Sequence, residues 1–176
     1  IPRMLQDMQN RGQLSAGMST WNANAENRQV LDTYRDLGSV QEVFRLSHAG
    51  KSASLMEQYR GPAAIGHVRY ATCGRNDKSY AQPFENRHFH LRQWFSFAFN
   101  GQLANYPELA AKLLGEPDHH LVRQTDTEVL MHQFGRALQA NPSVPLLDLM
   151  RDVAPQLDGA WSLALLNAAG EMLIAR

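Results

Sequence analysis

The sequence predicts an α+β chain in which antiparallel sheets are covered by helices. Three observations predict it. Strand-like segments come in adjacent pairs, Ser15–Trp21 with residues 29–35, and residues 160–166 with Met172–Ala175. Helical periodicities are also grouped, across residues 105–114, 125–138 and 146–157. Strand and helix therefore do not alternate, which argues against a doubly wound sheet and for helices laid on antiparallel sheets.

Each element follows from local chemistry. Met4, Leu5 and Met8 have helical spacing, and Arg11-Gly12 stops the pattern. Ala16, Met18 and Thr20 mark a strand, and polar residues 22–27 read as a hairpin turn into the next one. Gly38-Ser39 caps a short helix through Val40, Val43, Phe44 and Leu46, and a second is expected over residues 53–59. Residues 63–72 form an apolar and β-branched strand in which Gly66 marks a close approach. Residues 74–87 are polar and without period, a length of loop that is often functional.

Residues 90–99 read as an aromatic strand. Phe95, Phe97 and Phe99 share one face; Trp94, Ser96 and Ala98 share the other, small enough to let something pack closely. Asn100-Gly101 ends that strand as a turn signal. Asn105 caps a helix with Pro107 in its first turn. Thr125-Asp126-Thr127-Glu128 is a capping box before Val129, Leu130, Phe134 and Leu138. Ala168-Ala169-Gly170 turns the last hairpin.

Composition bounds the function. The 176 residues suit one domain. Seventeen basic and seventeen acidic residues balance, which leaves no electrostatic footprint for nucleic acid or an anionic membrane. The apolar run 163–166 is far short of the ~20 residues that span a bilayer. A single cysteine, Cys73, makes no internal disulfide, and a reducing cytoplasmic setting is expected. The chain opens on Ile-Pro-Arg and closes on Leu173-Ile174-Ala175-Arg176, and is read as one domain, 1–176, of a longer protein.

Four segments put polar groups where a core would be apolar: Arg11 to Gly17, Gly66 to Thr72, Asn100-Gly101, and Thr125-Asp126-Thr127. With Ala81-Gln82-Pro83-Phe84 and Asp158-Gly159-Ala160-Trp161-Ser162, in this order, they resemble the glutaminase domain of the class II glutamine amidotransferases. These are N-terminal-nucleophile hydrolases, and the pattern is most similar to their amidophosphoribosyltransferase branch. Any one segment is a weak match; together they are specific.

The resemblance implies a four-layer α/β/β/α sandwich and hydrolysis of the glutamine side-chain amide through a cysteinyl thioester. Ammonia then passes to a synthase domain beyond residue 176, which in that branch starts purine synthesis. Arg69 is implied as the fork for the substrate α-carboxylate, with Thr72 adding a hydroxyl. Asp126 is implied for the α-ammonium. Asn100 and Gly101 are implied as the oxyanion hole, and Arg11 and Gly12 as the segment beside the nucleophile. The resemblance puts the nucleophilic cysteine on a strand ahead of Ile1, so residues 1–176 alone are expected to lack that strand and to be inactive. No cofactor or metal is expected in this domain, any Mg2+ belonging to the synthase half. The complete protein is expected to be a homo-oligomer.

Plainer readings stand beside these. Arg69 can be a structural arginine, Asp126 a helix-start acid, and Asn100-Gly101 a hairpin turn. His119-His120, His88 and His90 lack a third ligand nearby and read as surface. His67 receives no role. Cys73 reads as a buried or half-buried thiol, not a nucleophile. Two other functions compete: a glutamine-binding regulatory module without hydrolysis, and the glutaminase half of a glucosamine-6-phosphate synthase.

Overall fold

The computed structural model describes residues 1–24, 29–70, 77–115 and 120–176. It contains two antiparallel sheets. In the first, β1 (Ser15–Trp21) lies between β2 (Leu31–Leu37) and β3 (Ala63–Arg69), so that Met18 pairs with Tyr34 on one side and Gly66 on the other. The second runs in the order β4 (Phe84–Asn86), β5 (Phe95–Leu103), β6 (Gly159–Asn167) and β7 (Met172–Ala175).

The alternation of side chains along these strands builds four layers. On the outer face of the first sheet lie α1 (Pro2–Asp7), α2 (Val40–Val43) and α3 (Ala49–Gln58). Leu5, Val43 and Phe44 pack there on Ala16, Met18 and Val68. On the outer face of the second lie α4 (Tyr106–Leu114), α5 (Asp126–Ala140) and α6 (Leu146–Val153). Phe134 of α5 stands edge-on to Phe95 and Phe97, with centroids 6.0 and 5.6 Å away. Edge-to-face pairing of this kind adds about 0.5–1.5 kcal/mol to the burial itself. Between the sheets sit Leu31, Ile65, Leu166 and Ala168, with Trp21 and Trp94 alongside. A polar seam also crosses this layer. Ser19 Oγ lies 2.5 Å from Ser96 Oγ and 2.7 Å from Thr33 Oγ1, so the two buried serine hydroxyls and the half-buried threonine satisfy one another. The small face of the aromatic strand is thus where the first sheet packs.

Several elements depart from expectation. β2 starts and ends later than residues 29–35, because its register is set by β1, with Trp21 opposite Leu31 and Ser15 opposite Leu37. α3 begins at Ala49, ahead of residue 53, through an exposed first turn that apolar periodicity cannot reveal. Residues 74–87 include a 3-10 turn at Lys78–Tyr80 and the short strand β4. Residues 90–94 form turns, and β5 begins only at Phe95. Asn105 gives no side-chain cap to α4; its carboxamide instead bridges to Gln156 O and Asp158 N. The helix expected over 146–157 ends at Val153 and tightens into a 3-10 turn, Ala154–Gln156.

Asn100-Gly101 does not end the strand. The pair lies within β5, opposite Ser162 and Trp161 of β6. The turn that the dipeptide signals locally is overridden by the β5–β6 ladder, which continues to Leu103 opposite Gly159. Part of the expected turn at 22–27, and the segment from Ala71 to Asn76 with Thr72 and Cys73, lie outside the described residues, as does His119.

Candidate active site

The site forms where β3 and β5 end near the start of α5. Arg69 is the last residue of β3 and is only 7% exposed. Its backbone carbonyl accepts from Leu14 N at 3.1 Å, and its guanidinium carbon lies 5.4 Å from the centroid of the Tyr80 ring. That stacking is a cation–π contact and holds the planar fork in one orientation. Gly12 permits the chain to cross here: a Cβ on it would sit 2.4 Å from the Arg69 carbonyl carbon. Gln9 pins the same turn by accepting from Val40 N at 2.6 Å and donating to Gly12 O.

Gly101 has φ of +155°, and a Cβ there would lie 2.4 Å from Ala160 O and 2.5 Å from Trp161 Cα. No other residue fits that approach of β5 to β6. The Asn100 side chain is exposed and makes no hydrogen bond to the described residues. Asp126 is the first residue of α5, and its Oδ2 accepts from Leu103 N at 3.0 Å. One of its oxygens is fixed in this way, and the helix N-terminus favours its charge.

The loop before α5 is held unusually. Thr125 Oγ1 accepts from Glu128 N at 3.3 Å, which is half of the expected capping box. The Glu128 carboxylate does not return to Thr125 N. It accepts instead from Val122 N, Arg123 N and Gln124 N at 2.7, 2.7 and 3.0 Å. This grip accompanies a left-handed Gln124, φ 50°, at the edge of the site.

Arg11, Arg69, Asn100, Gly101 and Asp126 all line one cleft of about 570 Å³, within the usual range for small-molecule sites. Gly12 is buried behind Arg69 and does not line it. Thr72 lies outside the described residues. His67, Tyr80, Tyr106 and Arg123 line the cleft too, and sequence reasoning had given them no part. His67 was legible: two residues before Arg69 on one strand, it faces the same way. Its Nδ1 is buried with no partner among the described residues. Burial pushes its pKa down to about 4, and the Arg69 charge adds to that effect, against a hydrogen bond to the Phe99 backbone. Tyr80 and Arg123 arrive through tertiary folding and carry no local signal. Arg123 Nε is buried without a hydrogen bond to the described residues, and its guanidinium carbon lies 6.0 Å from the Phe84 ring centroid. The cleft thus presents three guanidiniums, an acid, and an uncommitted carboxamide. An amino acid with both charged ends and a polar tail matches that set.

Among the described residues no group of three or more His, Cys, Asp or Glu could hold a metal ion. No helix among them is long and apolar enough to cross a membrane.

The chain is similar to known proteins over most of its length. The amidophosphoribosyltransferase of Methanothermobacter thermautotrophicus is 35% identical over 166 residues, 90% of this chain and 30% of that protein. The glutamine–fructose-6-phosphate aminotransferase of Methanosarcina mazei is 26% identical over 183 residues, 100% of this chain and 27% of that one. Among solved structures, the glutamine phosphoribosylpyrophosphate amidotransferase of B. subtilis, complexed with ADP and GMP, superposes with a TM-score of 0.75 at 26% identity. That match covers 99% of this chain and 34% of the other. The chain therefore spans about a third or less of the length of these relatives. The family model described as the glutamine amidotransferase domain matches residues 16–176. On that match and on its fold, the chain belongs to the glutamine amidotransferase domain family.

Proposed function

We propose that, in the complete protein, this domain hydrolyses the side-chain amide of glutamine and supplies the ammonia to a synthase domain that uses phosphoribosyl pyrophosphate. The observation that carries the reading is the common cleft of Arg69, Asp126 and Asn100-Gly101. Arg69 takes the substrate α-carboxylate in its fork, and Asp126 takes the α-ammonium. Those two contacts orient the amino acid so that its amide reaches Asn100-Gly101.

The attacking thiol is that of the family's cysteine ahead of Ile1. Sulfur bonds to the amide carbon, the carbonyl oxygen becomes an oxyanion, and the carboxamide of Asn100 with the N–H of Gly101 stabilises it. The C–N bond then breaks, and ammonia leaves carrying the proton given up by the thiol, passed on through the cysteine's own α-amino group. Water attacks the remaining thioester, releasing glutamate and the thiol. Each oxyanion donor is worth about 2.7–4 kcal/mol of barrier. No metal or organic cofactor enters these steps. The purine-type acceptor is supported by relatives named amidophosphoribosyltransferase in archaea, bacteria and a plant.

The test is Arg69→Ala in the complete protein. It raises the KM for glutamine by about 100-fold, the loss of a charge-assisted pair worth about 3 kcal/mol, while synthesis from free ammonia persists. An unchanged KM refutes the assignment.

A further inference from the structure

We infer that Gln82 is a positioning residue: its side chain acts as a substitute strand that fixes the peptide of Phe99 and so sets the oxyanion hole one residue further on. The inference rests on the proposed reading of Asn100-Gly101 and adds to it a residue that no contact with substrate would reveal.

The argument begins with the mismatch between two strands. β4 pairs with β5 only from Phe84 opposite Phe97 to Asn86 opposite Phe95. β5 runs on to Leu103, so among the described residues its edge has no strand beside it on that side from residue 98. In an antiparallel ladder, alternate residues direct both backbone polar groups to the same side. Phe97, Phe99, Gly101 and Leu103 are such a set.

Their partners along that edge differ in kind. Phe97 faces β4. Phe99 N donates to Gln82 Oε1 at 2.7 Å, and Phe99 O accepts from Gln82 Nε2 at 3.1 Å. A carboxamide has the same donor and acceptor as a peptide, so Gln82 makes the pair of bonds that a further β4 residue would make. Leu103 N donates to Asp126 Oδ2. Between those two anchors Gly101 N is directed to the same side, into the cleft that Gly101 lines. Among the described residues, the donor assigned to the oxyanion hole is thus the gap in an otherwise satisfied edge.

Gln82 is itself held firmly. It is 8% exposed. Arg35 donates to the carbonyls on either side of it, Ala81 O at 2.6 Å and Pro83 O at 2.9 Å. Its own carbonyl lies against β1 at Gly17, where a Cβ would come within 2.3 Å of it. The carboxamide is therefore aimed by backbone contacts on three sides. An oxyanion hole misplaced by a few tenths of an ångström loses much of its effect, since the donor must meet the oxygen at about 2.7–3.1 Å.

The test uses the complete protein with Gln82→Met, which keeps the length and removes both hydrogen bonds. Glutamine hydrolysis, ammonia-dependent synthesis and affinity for two ligands are measured. The ligands are glutamate and the γ-aldehyde analogue of glutamine, whose adduct with the thiol places an oxygen in the oxyanion site. The expected result is a kcat lower by about 10–100-fold, with KM for glutamine and affinity for glutamate within about 3-fold of the parent. Aldehyde affinity falls with kcat, and ammonia-dependent synthesis is unchanged. Gln82→Glu, which keeps the acceptor for Phe99 N and loses the donor, shows the same split and serves if the methionine variant does not fold. A kcat within 2-fold of the parent, or glutamate and aldehyde affinities that fall together, overturns the inference. If Asn100→Ala is impaired while both Gln82 variants are not, only this inference fails. If the parent does not hydrolyse glutamine, the reading beneath it fails with it.

Discussion

His67 and Arg69 lie two residues apart on β3 and reach the same cleft, yet they contribute opposite things. Arg69 stacks on an aromatic ring, whereas His67 is kept neutral by burial and by the neighbouring guanidinium. The pH consequence follows from the sign of the shift. An unfolded histidine titrates near 6.5 and the folded one at about 4. Above pH 6.5 both states are neutral and stability is complete. Between 6.5 and 4 the unfolded chain takes up a proton that the folded one refuses, so stability falls as pH falls. The slope approaches about 1.4 kcal/mol per pH unit at most. Denaturant unfolding of His67→Gln and of the parent should therefore converge as pH drops from 7 to 4.5, and parallel curves would contradict the account. At this scale the sequence was informative about chemistry and silent about neighbours. Arg69, Asn100, Gly101 and Asp126 each sit in a motif that announces polarity, whereas Tyr80 and Arg123 join the cleft only because two loops converge on it.

Secondary-structure elements were legible where their own periodicity set them and less so where partners did. The aromatic face of β5 and the apolar side of α5 were each legible, and the structure brings them together with Phe134 set edge-on against Phe95 and Phe97. The Asn100-Gly101 pair reads as a turn from its local preference, and the ladder to β6 converts it into mid-strand backbone. The capping box at α5 is similarly half right. Thr125 caps the helix, but Glu128 is drawn away by three backbone N–H groups of the preceding loop. Glu128 is 5% exposed, and removing it takes the shared acceptor from three backbone donors of the preceding loop, of which the one on Val122, a residue 81% exposed, can turn to water. Glu128→Ala should cost about 1–3 kcal/mol of stability, read as a lowered unfolding midpoint. It should also weaken glutamine binding, because the loop it holds runs directly into Asp126. A midpoint within 1 °C of the parent would show that the loop is held by something else.

For the whole molecule, the two-sheet architecture explains why the cleft can exist. Both sheets bury their faces, one against the other and each beneath helices, so the strand ends are left to carry function. β3 belongs to the first sheet and β5 to the second, and Arg69 and Gly101 come together only because the layers stack. The antiparallel class could be read from hairpins and helix pairs. The layer count could not, because nothing in residue order tells which sheet a strand joins; there the family resemblance supplied what periodicity lacks. The cleft therefore depends on the relative placement of two sheets, and its occupant is the most direct check on it. A crystal structure of the complete protein with bound glutamate, the product of the proposed reaction, is that check. The account predicts the α-carboxylate on the Arg69 guanidinium, the α-ammonium on Asp126, and a γ-oxygen within 3.1 Å of both the Asn100 carboxamide and Gly101 N, as oxyanion-hole donors require. Glutamate bound elsewhere, or bound here with its two charged ends away from Arg69 and Asp126, would contradict it.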